Sequence, residues 1–458
     1  MANRIEKILK QIKHLHFVGI GGSGMFPLVE ILKSDGFAIT GSDINEGSII
    51  DREREMGIEV AIGHDEKNIE GAQALVVSAA LLDGNPEVAR AKELGLPIIE
   101  RCEMLGYVTA RCKKSICISG THGKTTTTSM LTSIMLLADK DPTVVIGGKL
   151  PLINGYGRKG SSDYMVCEAC EFKDTFLHLD PYYSVILNID SDHLDYFGSL
   201  GGLKASFKKF AMLAKNAVIA NGDDSNTLDA ISSIKTPVIL FGEGEKCDYR
   251  ITDIKNENKA FYSFSLHNRG RDIGHFQLRV PGRHNVFNAA AAAVCADLEG
   301  MSATDIQKGL DSFGGAGRRF EMLGEFDGVT IADDYAHHPA ELKATLDAAA
   351  NMGYKRIIAV FQPFTYSRTK TLLDDFARVL SAADVVVMSE IMGSREINTF
   401  GISTSDLAAK IKGAVWFGSF EEIADYCLKI AKEGDLIITL GCGDIYKSAN
   451  MMVEKCRL

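Results

Sequence analysis

The residues best placed to do chemistry fall in two glycine-rich loops and in the acids, histidines and arginine that follow several apolar runs. Gly19-Ile20-Gly21-Gly22-Ser23-Gly24 fits G-x-G-x-x-G, follows the apolar run LHFVGI (15–20) and opens a helix at Met25. Glycines at such a turn let the backbone close on a diphosphate seated at a helix N-terminus. Asp43 ends the next apolar run nineteen residues after Gly24, where an acid meets a ribose hydroxyl. These features together point to a nucleotide site.

The second loop, Gly120-Thr121-His122-Gly123-Lys124-Thr125-Thr126, lies between SICISG (115–120) and a helical stretch. In a P-loop, backbone amides cradle phosphates, the lysine reaches the outer oxygens and the hydroxyl holds a magnesium ion. The match departs from G-x-x-x-x-G-K-[ST]: Ile118 occupies the first glycine position and Gly120 comes later. Glu168 ends YMVCEA (164–169) as a metal-holding acid would, and Glu171 adds a second carboxylate. Asn188 near the end of YSVILNI (183–189), with Asp190, Asp192 and His193 just after it, forms a donor set suited to Mg²⁺ or Mn²⁺. Cys167 and Cys170 match C-x-x-C, but no second pair at zinc-ligand spacing accompanies them. Further on, DDYAHHP (333–339) and Arg368 offer groups that could grip a carboxylate or polarise a carbonyl.

Positioning these loops requires a particular scaffold. Short apolar runs alternate with helical patterns from LHFVGI through FAITGSD (37–43), LVVSAA (75–80) and PIIER (97–101), with helix candidates at 22–34, 48–56 and 86–94. Such alternation specifies a parallel sheet covered by helices. A second unit opens at 115. Its rhythm breaks at 249–281, which reads as a small antiparallel insert, and it closes with helices at 285–300 and 302–313. FGGAGRR (313–319) reads as a hinge, and a third alternating unit begins at VTIADDYA (329–336). The expectation is an α/β protein of three domains. Residues 1–110 form a Rossmann-like domain, 111–318 a P-loop-type ATPase-like domain carrying the insert, and 319–458 a second Rossmann-like domain.

At 458 residues and roughly 150 per domain, the length agrees with three domains. The net charge of −10, with no basic run, argues against nucleic-acid binding. No segment reaches the ~18 apolar residues a membrane span needs. Ten scattered cysteines read as reduced thiols, so a cytoplasmic protein is expected.

Taken together, HFVGIGGSGM, GSD, Gly63-His64, SGTHGKTTT, EACE, NIDSDH, GRHNVFN, GRRFE, DDYAHHP and FQPFTYSRT resemble the Mur ligases, ATP-dependent amide ligases of peptidoglycan synthesis. The resemblance covers essentially the whole chain. It implies ATP and Mg²⁺ as cofactors and, for the most similar branch, L-alanine and UDP-N-acetylmuramate as substrates joined through an acyl phosphate. A monomer or homodimer is expected, with neither nucleic acid nor membrane as partner. Gly120 to Thr126 would cradle ATP, with Lys124 on the β/γ-phosphates. Thr125, Glu168 and His193 would ligate magnesium. His284 and Asn288 would contact adenine, Arg319 a phosphate and Asp334 the ribose. Gly21, Ser23, Gly24, Met25, Asp43, His64 and Ser78 would line the UDP-sugar site. Tyr335, His337 and Arg368 would place the amino acid and the reacting carboxylate. Two departures stand out: Phe364-Thr365 where family members often carry His-Arg, and Cys170 where other branches carry an acid. The alternatives are a ligase that recycles whole peptides onto the same UDP-sugar, and a nicotinamide-dependent oxidoreductase, which leaves the second loop unexplained.

Overall fold

A computed structural model describes residues 2–78, 84–258, 260–394 and 396–457. Residues 79 and 80 of the expected run LVVSAA lie outside the described residues. The chain forms two compact units. One comprises Met1–Asp253, Ser265–Phe276 and Phe287–Phe313; the other comprises Ile254–Phe264, Gln277–Val286 and Gly314–Leu458. The expected hinge at 313–319 contains the boundary between Phe313 and Gly314.

The first unit begins with α1 (Ala2–Leu9), β1 (His14–Val18), α2 (Phe26–Ser34), β2 (Ala38–Asp43), α3 (Ser48–Glu55), β3 (Glu59–Ile62), β4 (Ala74–Val77), α4 (Pro86–Glu93), β5 (Ile98–Glu100) and α5 (Arg101–Ala110). The five strands are parallel in the order β3-β2-β1-β4-β5. Strand order reverses at β1, so a crevice opens where β1 and β4 end, beside Gly19 and Ser78. The helix expected to open at Met25 begins instead at Phe26, with Met25 as its N-cap. Glycines up to Gly24 favour turns, and Pro27 suits only the first helical turn.

Next come β6 (Lys114–Ser119), α6 (Lys124–Leu137), β7 (Thr143–Leu150), β8 (Gly155–Arg158), β9 (Tyr164–Glu168), β10 (Tyr183–Ile186), α7 (Leu194–Phe197), α8 (Leu200–Leu213), β11 (Ala217–Asn221), α9 (Ser225–Ile231) and β12 (Val238–Gly242). Then follow β13 (Tyr249–Asn258), β14 (Phe261–Asn268), β15 (Arg271–Pro281), α10 (His284–Leu298) and α11 (Ala303–Ser312). The sheet runs β15-β14-β13-β12-β11-β10-β6-β9-β7-β8. The expected insert is thus three strands that continue the main sheet. β6 lies at its parallel centre between β10 and β9, which aims three strand ends at one place.

The five-stranded sheet and the part of the ten-stranded sheet from β6 to β12 share one unit and one apolar cluster. It runs from Leu15, Phe17 and Leu28 through Val108 and Cys117 to Phe176, Phe207 and Phe210. Gly157 permits a close approach of the two parts: a Cβ there would sit 2.7 Å from Pro27 Cβ. Asp35 adds ion pairs to Arg111 and Lys159.

One buried group works against this packing. Glu53 of α3 is fully buried, and neither of its carboxylate oxygens meets a hydrogen-bond donor among the described residues. Burial, together with the charges of Asp43 and Glu30, pushes its carboxyl up to about 8. Folding then becomes less favourable as pH rises from the ordinary carboxyl value toward about 8, because the unfolded chain ionises while the folded one holds its proton. Glu53→Gln is expected to leave the thermal midpoint nearly unchanged near pH 4.5 and to stabilise the protein by several kcal/mol near pH 8.5. Equal midpoints for variant and wild type at both values would refute this.

The second unit's sheet uses β16 (Glu321–Phe326), β17 (Val329–Asp334), β18 (Arg356–Phe361), β19 (Val385–Ser389), β20 (Val415–Phe417) and β21 (Asp435–Leu440). Their order is β16-β17-β21-β18-β19-β20, parallel except for β16. Its helices include α12 (Pro339–Asn351), α13 (Tyr366–Thr371), α14 (Leu373–Leu380), α15 (Thr404–Ala408), α16 (Phe420–Ile430) and α17 (Tyr446–Arg457). The antiparallel edge strand β16 was not expected, since its largely exposed residues show no apolar run.

Candidate functional site

In the first unit the central loop runs from β6 into α6. Gly120 (φ +145°) and Gly123 (φ +85°) take conformations that favour glycine. A Cβ on Gly123 would lie 2.3 Å from Asn288 Oδ1, so the loop and α10 touch here. Lys124 opens α6 and folds back: its Nζ donates to Thr121 O (3.1 Å), to Gly120 O and to Glu171 Oε2 (3.0 Å). Burial disfavours the ammonium, but Glu171, Cys170 and Glu168 outweigh it and hold the Lys124 pKa above the ordinary lysine value. Beside it, Thr125 Oγ1 donates to Glu168 Oε2 (2.9 Å), which also accepts from the Gly147 N–H (2.8 Å). Thr126 follows on the first turn of α6.

Residues after β10 brace the loop from below. The His122 N–H donates to Asn188 Oδ1 (2.8 Å), Asn188 Nδ2 returns a bond to His122 O (3.0 Å), and the Asp190 N–H donates to Thr121 Oγ1 (2.8 Å). The Asn188 side chain and the Asp190 backbone thus hold the loop's shape, while the half-exposed Asp190 carboxylate lies 3.8 Å from His122 Nε2. His193, expected beside Thr125 and Glu168, packs its ring on Phe172 (4.7 Å between centroids) with Asp192 at 3.6 Å. Cys167 is buried in β9 and paired with Cys117 across the sheet, whereas Cys170 sits in the loop near Lys124.

At the first glycine loop, the Gly21 N–H donates to Asp43 Oδ2 (3.0 Å), tying the loop to the end of β2. Ser23 is exposed. Met25 turns its side chain into the apolar core, and its N–H closes on Gly22 O (2.8 Å). The Ser78 N–H bonds Val18 O across the crevice (3.3 Å). His64 stands with Nδ1 3.1 Å from Ser42 Oγ. Arg101, at the start of α5, escaped the sequence reading. A Cβ on Gly24 would begin 3.4 Å from its Nη1, so this glycine lets a guanidinium lie over the loop. Its charge and that of Lys124 both reach the Cys170 thiol. The signal was present: an arginine directly after a strand, as Arg368 is near one.

In the second unit, loops after β17, β18 and β21 carry the expected groups. Asp334 is buried; its Oδ1 accepts from the Ala336 N–H (2.8 Å) and Thr345 Oγ1 (3.1 Å), its Oδ2 from the Phe320 N–H (2.7 Å). Burial raises its carboxyl to about 6 against the pull of Arg319. Three donors are thus already placed on this carboxylate, two on Oδ1 and one on Oδ2. Arg319 and Arg318 both lie over the Tyr335 ring, at 4.9 and 5.1 Å, and Arg318 also bonds Asp333 Oδ2 (2.8 Å) and Gly441 O (2.6 Å). His337 Nδ1 is 3.0 Å from Tyr335 O and 3.2 Å from Glu341 Oε2. His338 caps α12, accepting from the Ala340 N–H. Arg368 sits in the first turn of α13, its N–H on Thr365 Oγ1. His284 lies one helical turn before Asn288, at the start of α10.

A glycine loop entering a helix, a lysine held among carbonyls and a carboxylate, and a threonine–glutamate pair at the next strand end define a phosphate-handling α/β protein. The chain belongs to the Mur ligase family. Residues 14–112 match its catalytic domain, 118–296 the Mur ligase middle domain and 318–443 the glutamate ligase domain. It is 43% identical over 457 residues to the UDP-N-acetylmuramate–L-alanine ligase of Caldanaerobacter subterraneus, covering 98% of this chain and 99% of that protein. The ligase of the same name from Acetivibrio thermocellus is 43% identical, covering 97% and 96%. The crystal structure of UDP-N-acetylmuramate–alanine ligase from Thermotoga maritima superposes with a TM-score of 0.83 at 28% identity, over 97% of this chain and 99% of that one. Among the described residues no helix is long and apolar enough to cross a membrane.

Proposed function

We propose that this chain joins L-alanine to UDP-N-acetylmuramate at the expense of ATP. The observation that carries the reading is near full-length similarity to ligases of that name, combined with the Lys124 loop. The muramic carboxylate attacks the γ-phosphorus of ATP, ADP leaves, and an acyl phosphate results. The alanine amine then attacks the acyl carbon, phosphate departs through a tetrahedral intermediate, and the amine loses its proton.

Lys124 binds the β/γ-phosphates, and Gly120 to Thr126 supply the cradle. Thr125 and Glu168, already adjacent oxygen donors, fit a magnesium ion, with His193 as the third ligand. When bound, that ion supplies charge neutralisation on the phosphates. His284 and Asn288 take adenine, Arg319 a phosphate and Asp334 the ribose. Ser23, Gly24, Asp43, His64 and Ser78 line the UDP-sugar site, with Gly21 and Met25 contributing backbone, and Arg101 adds a cation at the diphosphate. Tyr335, His337 and Arg368 place alanine and the carboxylate. The ten free thiols support a cytoplasmic location.

ADP release measured with UDP-N-acetylmuramate over a panel of amino acids tests the reading, and turnover without dependence on either substrate would overturn it. Gly24→Val gives a local test. Its extra methyls displace Arg101, so UDP-N-acetylmuramate affinity is expected to fall about tenfold in calorimetry while ATP affinity holds. Tight NAD binding with no UDP-sugar binding in the wild type would return the oxidoreductase reading.

A further inference from the structure

Glu87, in the first turn of α4, takes no part in the chemistry above, yet it is wholly buried and fully engaged. Its Oε1 accepts from Asn68 Nδ2 (2.6 Å) and its Oε2 from Ser42 Oγ (2.7 Å). The same Oε2 lies 3.4 Å from His64 Nδ1 and 3.7 Å from His16 Nε2. Burial alone would raise its pKa, but nearby His16 and the bonds from Asn68 and Ser42 outweigh burial and lower it, so the group is a carboxylate. Asn68 Nδ2 also donates to Gly63 O (3.1 Å), which fixes the backbone just before His64. Asn85 caps α4 by accepting from the Glu87 N–H (3.0 Å), which fixes the carboxylate's own backbone.

The proton count then determines the state of His64. A serine hydroxyl has one proton, and that of Ser42 goes to Glu87. Ser42 Oγ, 3.1 Å from His64 Nδ1, can only accept there, so the imidazole must carry its proton on Nδ1. In the neutral ring Nε2 is left as a bare acceptor, with no partner among the described residues.

We propose that Glu87 is a positioning residue for UDP-sugar binding, setting the tautomer and direction of His64 so that Nε2 accepts a hydrogen bond from the nucleotide, either a ribose hydroxyl or the uracil imide N–H. This rests on the reading of the first glycine loop as the UDP-sugar site. Replacing Glu87 by glutamine reverses the pattern. A glutamine amide can donate to Ser42, which then donates to His64 Nδ1 and moves the ring proton to Nε2.

Two measurements test this. Nitrogen-15 NMR of the ring should find His64 of the wild-type protein protonated on Nδ1 and that of Glu87→Gln on Nε2. Calorimetry with UDP-N-acetylmuramate should show Glu87→Gln and His64→Ala each weakening binding about tenfold, the double variant being no weaker than His64→Ala and ATP affinity staying unchanged in all three. The wild-type spectrum keeps the test decisive even if Glu87→Gln folds poorly. A wild-type ring protonated on Nε2, or strictly additive losses in the double variant, would overturn the role of Glu87 while leaving the UDP-sugar reading intact. Undiminished UDP-sugar binding by His64→Ala would instead overturn the reading on which the proposal rests.

Discussion

Lys124→Ala is expected to lower the rate of ADP release about a thousandfold, because a cation that meets the transferring phosphoryl group contributes most in the transition state. The same substitution should also destabilise the fold. Lys124 is paired with Glu171, whose side chain is only 2% exposed, and removing one partner of a buried pair leaves the other uncompensated at a cost of about 3 kcal/mol. The two effects separate in the double variant Lys124→Ala/Glu171→Gln. Its thermal midpoint should return toward the wild type while activity stays lost. A single variant with near-normal ADP release would remove the phosphate assignment, and a midpoint that Glu171→Gln fails to restore would remove the pairing argument.

Gly123→Ala should be almost as damaging to ATP binding, for a different reason. The backbone at φ +85° is left-handed, which costs any residue with a Cβ about 1–2 kcal/mol. That Cβ would also enter the space of Asn288 Oδ1 at 2.3 Å and press Leu187 Cδ1 at 3.3 Å. Asn288 is itself buried and proposed to meet adenine, so the strain falls on the nucleotide site. A combined cost of roughly 3 kcal/mol corresponds to about a hundredfold rise in the KM for ATP. The KM for UDP-N-acetylmuramate should move little. Steady-state kinetics with each substrate varied in turn decides the matter, and equal rises in both constants would point to general unfolding.

Much of the molecule was legible from local pattern. Apolar runs of four to eight residues and the punctuation of glycine and proline read correctly as alternating strands and helices, because strand burial and turn geometry depend on near neighbours in the chain. The Gly-Lys-Thr run and the acid ending β9 were visible in the same way, since a loop at a strand end is a contiguous feature. The first helix boundary shifted by one residue, from Met25 to Phe26, where glycine and proline pull against each other. β16 stayed hidden because an edge strand facing solvent needs no apolar alternation.

By itself, then, the sequence determined the kinds of elements, their order, and which loops carry glycine, lysine and acid. The tertiary structure alone decided which side chains meet. It joined the first two sheets over one core, because apolar faces choose partners by shape across hundreds of residues and leave no local mark. It placed Glu171 on Lys124, aimed Arg101 at Gly24, and turned the Asn188 side chain and the Asp190 backbone N–H onto the loop. It also set Glu87 behind His64, twenty-three positions away in the chain. Each of these is a contact between residues distant in sequence. Such contacts depend on distance and burial, which arise only when the strands have paired and the helices have packed.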